Sequence, residues 1–316
     1  MAKVCQEWFP ETNGFFMDDR LLIQLDILLK NIKNDWDFTI IICGQGEVRV
    51  GKSLLAMQIA CYWTYEIEKR YGYKAPFDVK TNFVFNGQDL VKQGNYLGRN
   101  FKYPALIFDE AGADLEGKKI MSGSTQQVLD YFRECGQHNM LNILVLPEYF
   151  DLPKGIALSR SIFLIDVFYM ANEKGIFERG KFNFYSRRSK KWLYLKGKRD
   201  LNYSCVKSDF GRRPGLFRKF YPIDEKEYRD LKQEALKHRE SKRRNKFMIQ
   251  RDACYYLLCG EKHNKGEVKL TIKGKLMTQS NLCKRIEQLT GIYADRVTIS
   301  DALKRMKVEF NEDYDG

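Results

Sequence analysis

Phe38-Thr39-Ile40-Ile41-Ile42-Cys43 runs through Gly44-Gln45 into Gly46-Glu47-Val48-Arg49-Val50-Gly51-Lys52-Ser53. The first six residues are a continuous apolar, largely β-branched run, as expected of a strand buried on both faces. The last eight fit G-x-x-x-x-G-K-[ST]. Beyond them Leu54, Leu55, Met57, Ile59, Ala60 and Trp63 return at helical spacing to about Arg70. In a strand, loop and helix of this kind, the backbone N–H groups of Gly46, Glu47, Val48, Arg49, Val50 and Gly51 wrap a β-phosphate. Lys52 then neutralises the β and γ phosphates, and the Ser53 hydroxyl meets Mg²⁺. The implied ligands are ATP, or another nucleoside triphosphate, and Mg²⁺. Val50 stands where a second glycine is frequent. Arg49 either touches a phosphate or a neighbouring subunit, or is simply solvated.

Downstream, Ala105-Leu106-Ile107-Phe108 ends in Asp109-Glu110. Adjacent parallel strands converge at their carboxyl ends, so Asp109 is expected in the Mg²⁺ shell and Glu110 beside the attacking water. Paired acids at a strand end also make a simple turn; the phosphate loop upstream favours the catalytic reading. Further strands are expected at Phe83–Phe85, Leu141–Leu146 and Ser161–Val167. Helices are expected at Asp19–Lys33, Gly87–Gln93 and Thr125–Glu134, with a Gly- and Lys-rich loop over 112–124. Alternating strands and helices predict an α/β fold: a parallel sheet flanked by helices.

The order of phosphate loop, strand-end Asp-Glu and a further strand at Leu141–Leu146 resembles the additional-strand, catalytic-glutamate branch of P-loop NTPases. Within it, the chain resembles the FtsK/HerA group of DNA-translocating and DNA-packaging ATPases, including phage assembly proteins related to zonular occludens toxin. The resemblance covers roughly residues 36–170. It implies ATP hydrolysis in a homo-oligomeric ring, with an arginine from a neighbour stabilising the transition state. Arg133, in Tyr131-Phe132-Arg133-Glu134-Cys135-Gly136-Gln137-His138-Asn139, has the matching placement, with Arg160 as a second candidate. The group also carries a polar sensor at the end of its fourth strand. Here Leu146 is followed by Pro147 and Glu148, which leaves Gln137, Asn139 or Asn142 for that role. His138 is expected to be a hydrogen-bonded structural residue.

The formal net charge of +13 is local. Residues 171–250 hold 24 Lys and Arg against 10 Asp and Glu, which leaves the rest of the chain near neutrality. Such a segment predicts a polyanionic partner, DNA first and an acidic membrane second. Arg187, Arg188, Lys190, Lys191, Lys196, Lys198 and Arg199 surround Tyr185, Trp192 and Tyr194, so cations alternate with rings able to stack on bases. Phe182–Tyr185 and Lys191–Lys196 read as a small antiparallel extension, and Tyr228–Lys246 as a charged helix with little apolar face. Thr278–Met306 reads as two helices separated by Gly291, a possible helix-turn-helix, with Ser300, Lys304 and Arg305 exposed. The expected organisation is an ATPase domain over 1–170, a basic extension over 171–250 and a small helical module over 251–316. Eight cysteines without a CxxC pair suit reduced thiols. Without an apolar run of membrane-spanning length, the expected location is cytoplasmic, or the host cytoplasm for a viral protein.

Overall fold

The computed structural model describes residues 1–111, 115, 123–242, 251–252, 254, 278–290 and 295–312. The chain divides into two compact units, Met1–Ala235 and Leu236–Gly316.

The first unit opens with a two-stranded antiparallel ribbon, β1 (Ala2–Val4) and β2 (Phe15–Met17), followed by helix α1 (Asp19–Asn31). The run Phe38–Cys43 is strand β3, buried at all its positions, and α2 (Lys52–Tyr71) follows the loop. Next come α3 (Val79–Asn82), β4 (Phe83–Val84), α4 (Gly87–Asn100) and β5 (Ala105–Phe108). Then α5 (Gly123–Glu134) leads to β6 (Leu141–Val145), β7 (Ser161–Ala171) and β8 (Phe177–Tyr185). The unit ends with α6 (Arg187–Gly197), β9 (Gly215–Leu216) and the start of α7 (Glu225–Lys242).

The sheet order is β4-β5-β6-β3-β7-β8-β9. The five strands from β4 to β7 are parallel, and β6 lies between the phosphate-loop strand β3 and β5. β8 and β9 extend the sheet antiparallel, so it is mixed and not wholly parallel. Strand side chains alternate faces, and here that alternation sorts the core into two layers. Ile40, Ile42, Ile107, Ile143 and Ile165 pack with Leu55, Ile59 and Trp63 of α2. Ile41, Leu106, Phe108, Leu144 and Leu164 pack on the other face with α4, α5 and α6, through Leu97, Phe132 and Leu193.

The sheet does not stop near residue 170. β7 runs to Ala171 and pairs with β8 as far as Ala171↔Phe177, so the basic stretch continues the same packed unit. Lys191–Lys196 is not a strand. It lies in α6, whose helical period buries Lys190, Leu193, Tyr194 and Gly197 on one side. Tyr185 and Tyr194 are therefore core residues, and Trp192 is the ring this segment exposes. Asp18 and Arg20 tie the far end of the unit back. The Arg20 guanidinium donates to the carbonyls of Phe210, Arg213 and Pro214, and Leu216 N donates to Asp18 at 3.2 Å. This places Phe217 against the phosphate loop.

In the second unit, α8 (Gln279–Thr290) and α9 (Arg296–Glu312) form two helices, with Leu282, Ile299, Ala302 and Leu303 buried. Lys304 is exposed and Ser300 half-buried. Gly291 and the Arg305 side chain lie outside the described residues, as do most of the 112–124 loop and the end of the charged helix beyond Lys242.

Candidate active site

The loop between β3 and α2 is shaped by its backbone. Gly46 and Gly51 have φ of 76° and 107°, and Gln45 and Arg49 also take positive φ, at 51° and 59°. The positive φ of Gly51 favours glycine, and a Cβ there would crowd the Phe217 ring at 3.0 Å. Val50 does not open toward a ligand. It is buried, and its side chain lies where a Cβ on Gly44 would clash. Glu47 is half-buried, while Val48 and Arg49 are exposed. The carbonyl of Pro147 accepts from Gly44 N at 3.2 Å and Gly46 N at 2.9 Å, so the departure at the end of β6 anchors the loop.

Lys52 donates to the carbonyl of Glu47. Burial lowers its pKa, while Cys43, Glu110 and Asp109 pull the other way. Ser53 Oγ stands 3.1 Å from each carboxylate oxygen of Asp109, which is 1% exposed. Asp109 is held from behind by its own N–H, which donates to Val84 O at 2.9 Å. Glu110 has φ of 60°, a left-handed conformation that a non-glycine residue adopts at some cost and that is often found at functional sites. Its N–H donates to Asp109 Oδ1 at 3.0 Å. The strand-end acids and the loop serine are thus brought together as the sequence predicts.

Two residues of the same cluster were not anticipated. The Tyr228 hydroxyl donates to Asp109 Oδ2. Lys232 Nζ lies 3.0 Å from that oxygen and 2.8 Å from Glu110 Oε1. Burial works against the Lys232 charge, but Asp109, Tyr228 and Glu110 outweigh it and raise its pKa far above the usual lysine range. Tyr228 and Lys232 share one face of α7 because they are four residues apart. The helix is seated by the contacts of Tyr228 with the Phe83 and Phe85 rings, and Asp224 accepts from Glu227 N at 2.8 Å at its start. The signal in the sequence was the stripe Tyr228, Leu231, Ala235, too narrow to read as a core-facing helix.

Arg133 and Arg160 stand elsewhere. Arg133 precedes β6, at the edge of the sheet where the parallel strands begin. It is 62% exposed, pairs with Asp130 at 2.6 Å, and its carbonyl accepts from Arg160. The proposed sensors Gln137, Asn139 and Asn142 share that edge, away from the phosphate loop, and this corrects the expectation for them. Asn142 is buried at the start of β6 and accepts from the Tyr131 hydroxyl at 3.0 Å. The residue at the correct end is Glu148, which accepts from the Tyr203 hydroxyl. His138 is bonded to Asn95 at 2.9 Å, in keeping with a structural role.

Beside the loop, Asp166 of β7 is fully buried and accepts from Gln45 Nε2 at 2.7 Å. Burial pushes its pKa up to about 6, against the hydrogen bonds from Gln45, Asn183 and Cys43. A carboxyl with a raised folded-state pKa stabilises the fold below its unfolded pKa and loses that contribution as pH rises through the folded value. Wild-type protein is therefore expected to lose about 3 kcal/mol of stability from this group between pH 4 and 7. Asp166→Asn stays neutral and should remove that slope. Urea unfolding of both proteins across this range checks it, and parallel stability curves would refute the assignment.

Asp109 and Ser53 offer hard oxygen donors, and an ammonium already rests against the acids, so the residues suit a cation of the Mg²⁺ kind. Among the described residues no group of three or more His, Cys, Asp or Glu could hold a metal by itself. Mg²⁺ commonly uses one or two protein oxygens, with phosphate and water completing its shell.

No family model and no curated protein matches the chain. Solved structures similar to it include the genome packaging NTPase from Sulfolobus turreted icosahedral virus 2 in complex with AMP, at 13% identity and TM-score 0.33, covering 49% of this chain and 94% of that one. The DNA-packaging ATPase from Sulfolobus turreted icosahedral virus is similar at 18% identity and TM-score 0.31, over 49% and 94%. A KaiC-like protein from Pyrococcus horikoshii is similar at 13% identity and TM-score 0.32, over 59% and 89%. At these scores the assignment rests on the chain's own topology. It has a P-loop NTPase fold: a phosphate-binding loop between a central parallel strand and a buried helix, with the acids on a strand one removed.

Proposed function

We propose that this protein hydrolyses ATP with Mg²⁺ and acts as an oligomeric nucleic-acid motor or loader, in DNA translocation or packaging. The observation that carries the reading is the cluster of Ser53, Asp109 and Glu110 at the carboxyl ends of β3 and β5, beside Lys52. Lys52 and the loop amides hold the phosphates, Ser53 and Asp109 hold the cation, and Glu110 orients and deprotonates the attacking water. Mg²⁺ supplies charge neutralisation at the γ-phosphate when bound. Arg133 lies by the N-terminal ends of the parallel strands, away from its own loop, and at 62% exposure its guanidinium is open to a phosphate held by a neighbouring copy. That geometry supports ring assembly.

The exposed face of α6 supports nucleic acid as the partner. Arg188, Lys191 and Lys196 surround Trp192, which is 47% exposed, with Lys196 over its ring. Cations on phosphates and a ring on a base suit a single strand. Charge reversal by Arg188→Glu with Lys191→Glu should weaken DNA binding about 10- to 100-fold and lower the salt slope by about 2. Fluorescence anisotropy at several salt concentrations measures both; unchanged binding would exclude this face. The two-helix module α8–α9 is proposed as a second DNA contact.

One observation favours the alternative of an assembly or secretion ATPase working at a membrane. The tip of the β7–β8 hairpin exposes Tyr169, Met170, Ile176 and Phe177, the last at 67%. No helix among the described residues is long and apolar enough to cross a membrane. The deciding experiment is ATP hydrolysis alone, with single- or double-stranded DNA, and with anionic vesicles. Strong stimulation by DNA supports the motor. Stimulation by vesicles alone supports assembly, and turnover unaffected by Glu110→Gln would point to a nucleotide-regulated switch.

A further inference from the structure

The acids of the site are already engaged by their own chain. Asp109 Oδ1 accepts from Ser53 and from Glu110 N–H, and Oδ2 accepts from Ser53, Tyr228 and Lys232. The second acid, Glu110, has its Oε1 on the same ammonium. We propose that Lys232, steadied by Tyr228, is a built-in occupant of the metal subsite, and that α7 must withdraw this ammonium before a divalent cation and nucleotide can be held productively. This rests on the hydrolase reading above.

Three physical points carry it. Two adjacent carboxylates repel each other, and Asp109, 1% exposed, is costly to hold charged without a counter-charge. Lys232 supplies that charge at 3.0 and 2.8 Å, within contact distance of both acids. A cation bound through Asp109 needs the same oxygen lone pairs and the same negative potential, so the two cations exclude each other. Finally, a base must be within reach of the water it deprotonates, and the Glu110 oxygen bonded to Lys232 is turned to an ammonium that accepts no proton.

The latch is also placed to be released. Tyr228 packs on Phe83 and Phe85, but Lys232 is at the margin, its side chain 24% exposed, and the next positions, Gln233 and Glu234, face solvent. Beyond Tyr228 the seat of α7 is the half-buried Leu231 and Ala235, with polar contacts that include the exposed pair of Glu227 with Lys80 at 3.5 Å. Past Tyr228 the helix offers only partly buried apolar side chains, and such a segment opens at less cost than the buried strands of the sheet. Lys232 therefore holds the acids in a resting arrangement and leaves when the positive charge of a metal replaces its own.

The test is Mn²⁺ affinity of the ADP-bound protein, read from the free-ion electron paramagnetic resonance signal, for wild type, Lys232→Met, Lys232→Arg and Tyr228→Phe. Lys232→Met should bind Mn²⁺ roughly 10-fold more tightly, Tyr228→Phe a few-fold more tightly, and Lys232→Arg like wild type. Equal or weaker Mn²⁺ binding by Lys232→Met would overturn the latch, since the ammonium would then be neutral to the loaded site or part of it. Should Lys232→Met fail to fold, Tyr228→Phe keeps the ring packing and decides on the same readout. A parallel titration with a fluorescent ATP analogue separates the two readings. Wild type that binds no nucleotide removes the hydrolase reading and the latch with it; nucleotide binding with Mn²⁺ affinity unchanged in the variants removes the latch alone.

Discussion

Replacing Glu110 by Gln should lower the ATP hydrolysis rate by about 10²- to 10⁴-fold while nucleotide binding persists. The amide keeps the shape of the side chain and can still orient water, but it accepts no proton. It also leaves the backbone feature that aims the side chain, a left-handed φ of 60° at this residue, untouched. The two halves of the outcome are measured separately, hydrolysis by phosphate release and binding by a fluorescent nucleotide titration. Loss of both would mean that Glu110 supports the loop and not the chemical step. Retention of both would leave the strand-end pair as a turn.

Lys52→Ala carries the second large effect, and it should fall on binding. The ammonium is held beneath the loop by the Glu47 carbonyl, in a site whose burial already lowers its pKa. A charge kept in such a place is compensated when a polyphosphate arrives, and charge-assisted bonds to phosphate exceed neutral ones about twofold. Truncation removes that compensation, and a loss of about 3 kcal/mol corresponds to roughly 10²-fold weaker ATP binding. Thermal unfolding without nucleotide serves as the control. A binding loss that merely tracks a fall in Tm would make Lys52 a structural residue of the loop.

The two variants read different parts of one cluster, and only Glu110→Gln touches the latch. Lys232 touches Asp109 and Glu110, so Glu110→Gln also weakens the seat of α7, whereas Lys52→Ala does not remove a contact of that helix. Mn²⁺ affinity measured on Glu110→Gln therefore adds an internal comparison. It should rise relative to wild type even as hydrolysis falls.

The local parts of the site were legible in the sequence because their causes are local. A β-branched apolar run before a glycine-bearing loop and a helical stripe after it can be satisfied by one arrangement, strand into loop into helix, and β3 and α2 form as read. The approach of Asp109 to Ser53 is legible for the same reason, since parallel strands near one another converge at their carboxyl ends. Elsewhere tertiary packing or a long-range partner overrides the local pattern. Lys191–Lys196 alternates like a strand, yet Ser186 and its neighbours start a helix that buries Lys190, Leu193 and Tyr194 together, so tertiary packing overrode the short alternation. Gln137, Asn139 and Asn142 were plausible sensors by composition, and only strand direction shows that they lie at the far edge.

Sequence alone therefore determined the strand, loop and helix over residues 38–70 and, from the alternation of strands and helices through Ser161–Val167, the α/β class. Tertiary structure decided what closes the site. Tyr228 and Lys232 lie 119 and 123 positions from Asp109, on a helix whose surface reads as charged and solvated. No periodicity links a cation to acids so distant in the chain. The pairing exists because the chain after β9 sets Phe217 against Gly51 and the Arg218 and Phe220 carbonyls on Gln58 of α2, and so delivers α7 to the acids, where Lys232 lies against both carboxylates.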